Sequence, residues 1–182
     1  PQQEEMASAV AAAFNGDETV MIEAGTGTGK SLAYLIPSLE WSQKNNERVV
    51  ISTHTINLQE QLLNKDIPDI AAALDFPFKA ALLKGRGNYL CPRRFEFIRA
   101  RQPASVDELR VLAKILIWTQ YSKSGDKGEL SLRGSENTYW SRLSAEDEGC
   151  GEYQCRVRMN GVCPFHKARR AAGSANVIIV NH

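Results

Sequence analysis

The sequence predicts an α/β fold in which a parallel sheet flanked by helices is interrupted by a mainly helical insertion. Three observations predict it. Short apolar strands alternate with helical patterns over residues 1–84, which is typical of a parallel sheet with helices on its faces. A glycine-rich loop follows the first strand. The alternation stops over residues 85–173 and returns as an apolar strand within residues 174–182.

Helical periodicity marks three segments of the expected core. Met6, Val10 and Phe14 recur every four residues and predict a first helix. A second helix should begin near Lys30, after the glycine-rich loop. The run INLQEQLL at 56–63 predicts a third.

Four short apolar runs predict the strands of the sheet, because each is bounded by polar or turn-forming residues. They are TVMIEA at 19–24, RVVIST at 48–53, FKAALLKG at 78–85 and NVIIVN at 176–181.

The insertion carries one strong helix signal. Ser105 and Glu108 form a capping box ahead of VLAKILIWTQ at 111–120, and we expect this helix to end near Ser124. The polar stretch at 122–137 predicts a loop. PFHKARRAAG at 164–173 predicts a further helix with its last glycine as C′ residue.

Bulk composition excludes several classes of protein. Hydrophobic residues make up 43% of the 182 residues, enough for a real core. No apolar run approaches the roughly 20 residues of a membrane span, and no secretory signal is evident. The chain begins at Pro1 without a methionine, and we expect it to be a fragment of a longer cytoplasmic protein.

The net charge of +1 hides an uneven distribution. Residues 84–101 hold six basic residues against one acidic, and residues 150–170 hold five against one. The stretch between them, 102–149, holds six against eight. Basic blocks are often solvated faces, but each of these also contains cysteine, which favours a functional role.

The loop EAGTGTGKS at 23–31 has the pattern of a phosphate-binding P-loop. Its glycines allow backbone N–H groups to surround phosphate oxygens at a helix N-terminus. Lys30 would pair with the β- and γ-phosphates, and the Ser31 hydroxyl would bind Mg²⁺. Ala24 stands where the strict pattern has glycine. Many unrelated enzymes use such a loop, so it does not by itself define an activity.

Thr53 and Thr55 lie at the C-terminal end of the second strand, beside the expected nucleotide edge of the sheet. Their hydroxyls would suit the backbone phosphates of a nucleic acid. Ordinary capping of the next helix is the alternative, because threonine at a helix start satisfies free N–H groups.

Six stretches of the chain together resemble, in family order, the first part of helicase domain 1 in the DinG/XPD family of iron–sulfur DNA helicases. They are PQQEEMA, EAGTGTGKS, VVISTHTINLQEQLL, LLKGRGNYLC, CPFHKARR and ANVIIVNH. The resemblance covers essentially the whole chain and is weakest across 102–149. It implies a partial RecA-like lobe of a superfamily 2 helicase, interrupted by an iron–sulfur insertion at 85–173.

The resemblance also implies roles for individual residues. Gln3, with Gln2 as the alternative, matches the glutamine that reads adenine. Thr53, Thr55 and Gln59 lie in the region that contacts single-stranded DNA. The implied nucleotide-binding segment consists of Ala24, Gly25, Thr26, Gly27, Thr28, Gly29, Lys30 and Ser31. A DEAH-type box should lie beyond the last residue of the chain.

The four cysteines suggest a metal centre. Cys91 is separated by 58 residues from Cys150, and Cys155 and Cys163 follow after gaps of four and seven. Four thiolates can hold a [4Fe–4S] cluster or Zn²⁺, and the spacing does not decide between them. His166 would be a ligand in the zinc interpretation, although packing is its more ordinary role. The family resemblance favours the iron–sulfur cluster.

The two basic blocks also predict contacts with nucleic acid. Cationic grooves with aromatic faces suit single strands, although we expect most aromatics here to pack the core of the insertion. The better candidates for DNA binding are the arginines of the two blocks. They are Arg86, Arg93, Arg94, Arg156 and Arg158.

The leading hypothesis from the sequence is a bacterial ATP-dependent DNA helicase that acts in repair or replication. We expect it to work as a monomer on single-stranded DNA and forked junctions. The fragment alone should bind nucleotide without useful hydrolysis. One alternative is a zinc-stabilised nucleic-acid-binding module without catalysis. Another is an iron–sulfur P-loop ATPase that serves cluster assembly.

Overall fold

A computed structural model of the chain describes residues 2–146, 150–153, 155 and 163–181. The chain divides into two compact units. The first unit consists of Pro1–Leu83 together with Ala171–His182, and the second of Lys84–Arg170. The role predicted for residues 85–173 as a cluster-binding insertion stays a prediction.

The first unit contains a parallel sheet of three strands among the residues that the structure describes. These strands are β1 (Val49–Thr53), β2 (Ala80–Leu83) and β3 (Val177–Asn181), in the order β1-β3-β2. Val177 of the central strand pairs with Val49 on one side and with Ala80 on the other. Both faces of β3 are covered, as its continuous apolar sequence predicts. The predicted α/β fold is confirmed.

Helices flank this sheet in the order that the sequence predicts. The first unit contains α1 (Gln2–Gly16), α2 (Lys30–Asn45), α3 (Ile56–Gln61), a π-helical turn (Leu62–Asp66) and α4 (Ile67–Ala71). The core on one face of the sheet is aliphatic. It consists of Leu35, Leu39, Val49, Leu62, Ile67, Ile70, Val177 and Ile179. The rings of Phe14 and Trp41 stack at 5.1 Å and join α1 to α2.

The predicted buried strand at 19–24 is wrong for this structure. These residues are irregular, and Val20 and Met21 are exposed. A strand forms only where another strand pairs with its backbone, and no described strand pairs with this segment. Val20 instead lines an open pocket of about 590 Å³ together with Phe14, Val49 and Val50.

The second unit is mainly helical. Its helices are α5 (Pro92–Arg99), α6 (Val106–Trp118), α7 (Glu136–Leu143) and α8 (Pro164–Gly173), the last of which continues into the first unit, with short 3₁₀ turns at Arg86–Asn88 and Lys127–Glu129. One core joins α5, α6 and α7. It consists of Leu90, Phe95, Ile98, Val111, Leu112, Ile115, Trp140 and Leu143. No helix in the described part of the chain is both long and apolar enough to cross a bilayer.

The helix signals of the insertion are confirmed in part. The Ser105 hydroxyl accepts from the Glu108 N–H at 3.1 Å, as expected of an N-cap. The Glu108 carboxylate accepts from the Ala104 N–H instead of closing a capping box. Helix α6 ends at Trp118, earlier than predicted. Helices α5 and α7 were not predicted, and the predicted loop at 122–137 overlaps the start of α7.

Candidate nucleotide site and thiol cluster

The phosphate loop precedes α2 and is shaped by its glycines. Gly27 has φ of 82° and Gly29 has φ of 76°, a left-handed conformation that side chains disfavour. Gly29 is the N-cap of α2, so Lys30 is the first helical residue. The conformation of this segment therefore depends on glycine at both positions.

The functional side chains of the loop lie against its own backbone. The Lys30 ammonium donates to the carbonyls of Ala24 at 2.8 Å and of Gly25 at 2.7 Å. The Thr28 hydroxyl donates to the same Gly25 carbonyl at 2.9 Å. Ser31 forms a hydrogen bond with Tyr34, whose pKa burial raises above its usual value. The Lys30 ammonium and the Thr28 hydroxyl thus meet at the Gly25 carbonyl.

Gln3 reaches the phosphate loop from α1. Its side-chain amide donates to the Gly29 carbonyl at 3.2 Å. The contact is tight, since a Cβ on Gly29 would lie 2.6 Å from the Gln3 nitrogen. Helix α1 therefore places the glutamine matched to adenine recognition beside the loop matched to phosphate binding.

The three candidates at the end of β1 and just after it make contacts within the fold. Thr53 is buried, and its hydroxyl donates toward the carbonyls of Thr55 and Val180. Thr55 caps α3 by accepting from the Leu58 N–H at 3.3 Å. Gln59 is fully buried and donates to the Ile179 carbonyl. Each of these side chains therefore makes a structural contact, and DNA contact by any of them stays a prediction.

The second unit brings all four cysteines together. Cys91, Cys155 and Cys163 are buried in one cluster with Tyr89 and Phe165, and the fourth, Cys150, packs against it. The cluster joins residues from both ends of the unit. In the sequence, only the number of thiols and the family resemblance predict this convergence.

Burial and crowding shape the chemistry of these thiols. Burial raises the pKa of Cys150, Cys155 and Cys163, and the neighbouring thiols raise each pKa further. Hydrogen bonds from the backbone N–H groups of His166 and Phe165 offset part of the rise in the pKa of Cys163. Four crowded thiolates would need a compensating cation, so the donor set fits a metal centre.

His166 lies beside the thiols. It is 3% exposed, and its Nε2 is 3.7 Å from the Cys150 sulfur. One ligand atom each from His166, Cys150 and Cys155 lies within 4.8 Å of the other two. The other ring nitrogen, Nδ1, is 3.9 Å from a Glu152 carboxylate oxygen, too far for a hydrogen bond. Burial lowers the pKa of His166, which favours a neutral imidazole.

The candidate arginines differ in their surroundings. The Arg86 guanidinium lies over the Phe165 ring at 5.3 Å. Arg93 is partly buried. Its charge opposes the rise in the pKa of Cys150 that burial and the neighbouring thiols cause, without reversing it. Arg94 donates to three backbone carbonyls and so also has a structural role. Arg156 and Arg158 lie outside the described residues.

The aromatic residues divide as expected. Tyr89, Phe95 and Phe165 are buried and pack the core of the second unit. Phe97 and Tyr153 are 74% and 72% exposed. Most of these aromatics are therefore structural, and two present a ring to solvent.

Comparison with known proteins identifies relatives along the entire chain. Residues 1–77 match the DEAD/DEAH box helicase family. The chain is 36% identical to the 3'-5' exonuclease DinG of Bacillus subtilis, over 95% of this chain and 18% of that protein. It is 38% identical to the ATP-dependent DNA helicase YoaA of Haemophilus influenzae, over 100% of this chain and 28% of that protein. It is 37% identical to the ATP-dependent helicase DinG of Mycobacterium tuberculosis, over 99% of this chain and 30% of that protein. The chain thus spans less than a third of each relative.

Proposed function

The chain is a DinG-like helicase region, and on that premise we propose that the intact protein is an ATP-dependent DNA helicase. It would couple ATP hydrolysis to movement along single-stranded DNA and to separation of duplex strands, in DNA repair or replication. The observation that carries the proposal is the hydrogen bond between Gln3 and Gly29. It unites the expected adenine and phosphate contacts in one place.

Each residue of the loop has a task in this proposal. Lys30 would exchange the carbonyls of Ala24 and Gly25 for the β- and γ-phosphates, and so would neutralise charge on the transferred group. The Ser31 hydroxyl would bind the Mg²⁺ that accompanies ATP. Gln3 would hold the adenine by hydrogen bonds. The remaining catalytic residues would come from the rest of the intact protein.

The four cysteines would hold a [4Fe–4S] cluster. Four clustered thiols, three of them buried, and two backbone N–H donors to Cys163 support this assignment. When bound, the cluster supplies metal–thiolate bonds that stabilise the second unit. Zn²⁺ is the second candidate, because Cys150, Cys155 and His166 already form a mixed sulfur and nitrogen group.

The proposed setting is the bacterial cytoplasm, with single-stranded DNA and forked junctions as substrates and a monomer as the working form. The second unit would guide or separate strands at the junction. The relatives named as ATP-dependent helicases do not favour a binding module without catalysis.

The test is DNA-stimulated ATP hydrolysis and strand separation by the intact protein with Lys30→Ala. We expect a loss of about 10²–10³-fold in the rate of hydrolysis, by analogy with removal of one transition-state donor. DNA affinity should be retained. Lys44→Ala is the matched control, because Lys44 lies on the same helix and pairs only at the surface with Glu40. Normal hydrolysis by Lys30→Ala would refute the assignment of this loop.

A further inference from the structure

A groove on the second unit combines cationic and aromatic side chains. It has a volume of about 360 Å³, within the roughly 300–1,000 Å³ range of ligand sites. Four of its residues recur at helical spacing along α5 and just beyond it, and the fifth comes from α7. We call it the arginine groove, and it is lined by Arg94, Phe97, Ile98, Arg101 and Arg142.

A buried carboxylate orients two of its arginines. Glu108 is 2% exposed. Its Oε1 lies 2.5 Å from Arg101 Nη2 and 3.4 Å from Arg142 Nη1, so the carboxylate forms an ion pair with both arginines. It also accepts from the Ala104 N–H at 2.6 Å. The side chains of Arg101 and Arg142 remain 34% and 49% exposed. One carboxylate therefore holds two guanidinium groups in place while part of each faces solvent.

Arg94 adds a third positive charge to the groove. Its Nη1 donates to the carbonyls of Ser141, Ser144 and Glu146 at 3.0–3.4 Å. These partners are neutral carbonyls, so the hydrogen bonds fix the side chain without cancelling its charge. Three guanidinium groups against one carboxylate leave the groove positive.

Phe97 supplies an aromatic face beside these charges. Its side chain is 74% exposed, unlike Phe95 on the same helix, which is buried in the core. Arg94 and Arg101 lie three residues before it and four after it. Nucleic-acid bases stack on such rings, and phosphates pair with adjacent arginines.

We propose that the arginine groove binds single-stranded nucleic acid, with a base stacked on Phe97 and phosphates bound by Arg101 and Arg142. The inference rests on the proposed helicase function and adds a strand contact on residues outside the predicted DNA-binding set, Arg94 excepted. An acidic peptide would use the arginines but would not need the exposed ring, so the groove is better matched to a nucleic acid.

The first test is Phe97→Ala in the intact protein, with a fluorescent oligothymidylate as probe. Loss of one stacked base should weaken affinity on the order of tenfold. Tyr121→Ala is the matched control, because Tyr121 is 80% exposed on the same unit but lies outside the groove. The affinity of this control should stay within about twofold of that of the unaltered protein, well below the effect of losing a stacked base.

The second test is the salt dependence of the same affinity in Arg142→Gln. Loss of one phosphate contact should reduce the slope of log K against log salt by about 0.7. The variant should fold, because Glu108 keeps its contacts with Arg101 and Ala104. Arg110→Gln is the control, since Arg110 is 73% exposed and pairs with Asp107 on α6.

Unchanged affinity in Phe97→Ala together with an unchanged slope in Arg142→Gln would refute the groove while leaving the helicase proposal intact. Failure of the unaltered protein to bind the oligonucleotide would instead refute the proposed function. Polyglutamate serves as the acidic-peptide probe. If Arg142→Gln lost binding of polyglutamate but kept that of the oligonucleotide, the groove would be a peptide site and the inference would be wrong.

Discussion

The phosphate loop and the thiol cluster are built in opposite ways. The loop occupies consecutive residues 23–31, and most of its side chains are at least partly exposed. Its conformation depends on two left-handed glycines and on hydrogen bonds within the loop. The thiols come from positions 91 to 163, and three of the four are buried among aromatic side chains. The first site depends on local conformation, whereas the second depends on the packing of a whole unit.

This difference predicts how far a substitution at each site should act. A change in the loop should alter nucleotide binding and leave the fold in place, because few core contacts depend on it. A change at the thiols should alter the stability of the second unit, because metal bonds and core packing meet there. The following experiments test that separation.

The largest effect should follow Cys155→Ser in the intact protein. An oxygen donor replaces a thiolate that iron–sulfur centres need, so iron should be lost and unwinding with it. ATP affinity should be retained, since the phosphate loop belongs to the other unit. Iron content, ATP affinity and strand separation should be measured on one preparation.

Tyr153→Ala is the control for that experiment, because this neighbouring side chain is exposed. It should keep its iron. Full iron content in Cys155→Ser would remove this residue from the ligand set. Loss of ATP binding as well would show that the two units fold as one, which would erase the contrast between the sites.

A buried ion pair tests the packing of the second unit without touching a thiol. Lys84 and Asp126 are 2.5 Å apart, with side chains 2% and 10% exposed. Asp126→Ala removes the carboxylate and should lower the free energy of unfolding by about 3–5 kcal/mol. Denaturant titration measures this free energy of unfolding. Lys84→Met combined with Asp126→Leu should recover much of the loss, and equal losses in both variants would contradict the electrostatic explanation.

The smallest effect should follow substitutions in the loop. Gly29→Ala combines a left-handed φ with a Cβ only 2.6 Å from Gln3, whereas Gly27→Ala meets no atom within 4 Å. The conformation alone costs about 1–2 kcal/mol, so Gly27→Ala should weaken ATP binding roughly tenfold and Gly29→Ala more. Adding Gln3→Ala to Gly29→Ala should cause less than an additive loss. Titration with a fluorescent ATP analogue would measure the affinity of each variant. Equal losses of affinity in Gly27→Ala and Gly29→Ala would contradict the expected role of Gln3.

Sequence reasoning was most successful where structure depends on neighbours in the chain. The strand at 176–181 and the N-cap at Ser105 were predicted from local patterns and are present. The strand at 19–24 was not found, although its apolar composition resembles that of β3. Composition favours a strand, but only a pairing partner creates one, and that partner cannot be read from the segment itself.

The same limit explains the candidate sites. The glycine-rich loop was recognisable because its chemistry lies in nine consecutive residues. The arginine groove was not, because Arg101 and Arg142 meet only when α5 and α7 pack together, and α7 begins within a stretch that reads as a loop. Glu136 accepts from the Arg133 N–H and from Lys114 at the start of that helix. The contact with Lys114 joins residues 22 positions apart in the sequence and favours a helix that local composition does not predict.

The order of the strands has a consequence for biosynthesis. Strand β3 lies between β1 and β2, yet it is separated from β2 by residues 84–176. As the chain leaves the ribosome, β1 and β2 emerge with no strand between them, and the edges that face each other stay open until β3 emerges. The second unit, in contrast, is one continuous segment and can fold while synthesis continues. The unit that contains the phosphate loop therefore begins to emerge before the second unit, and its strand β3 emerges after that unit.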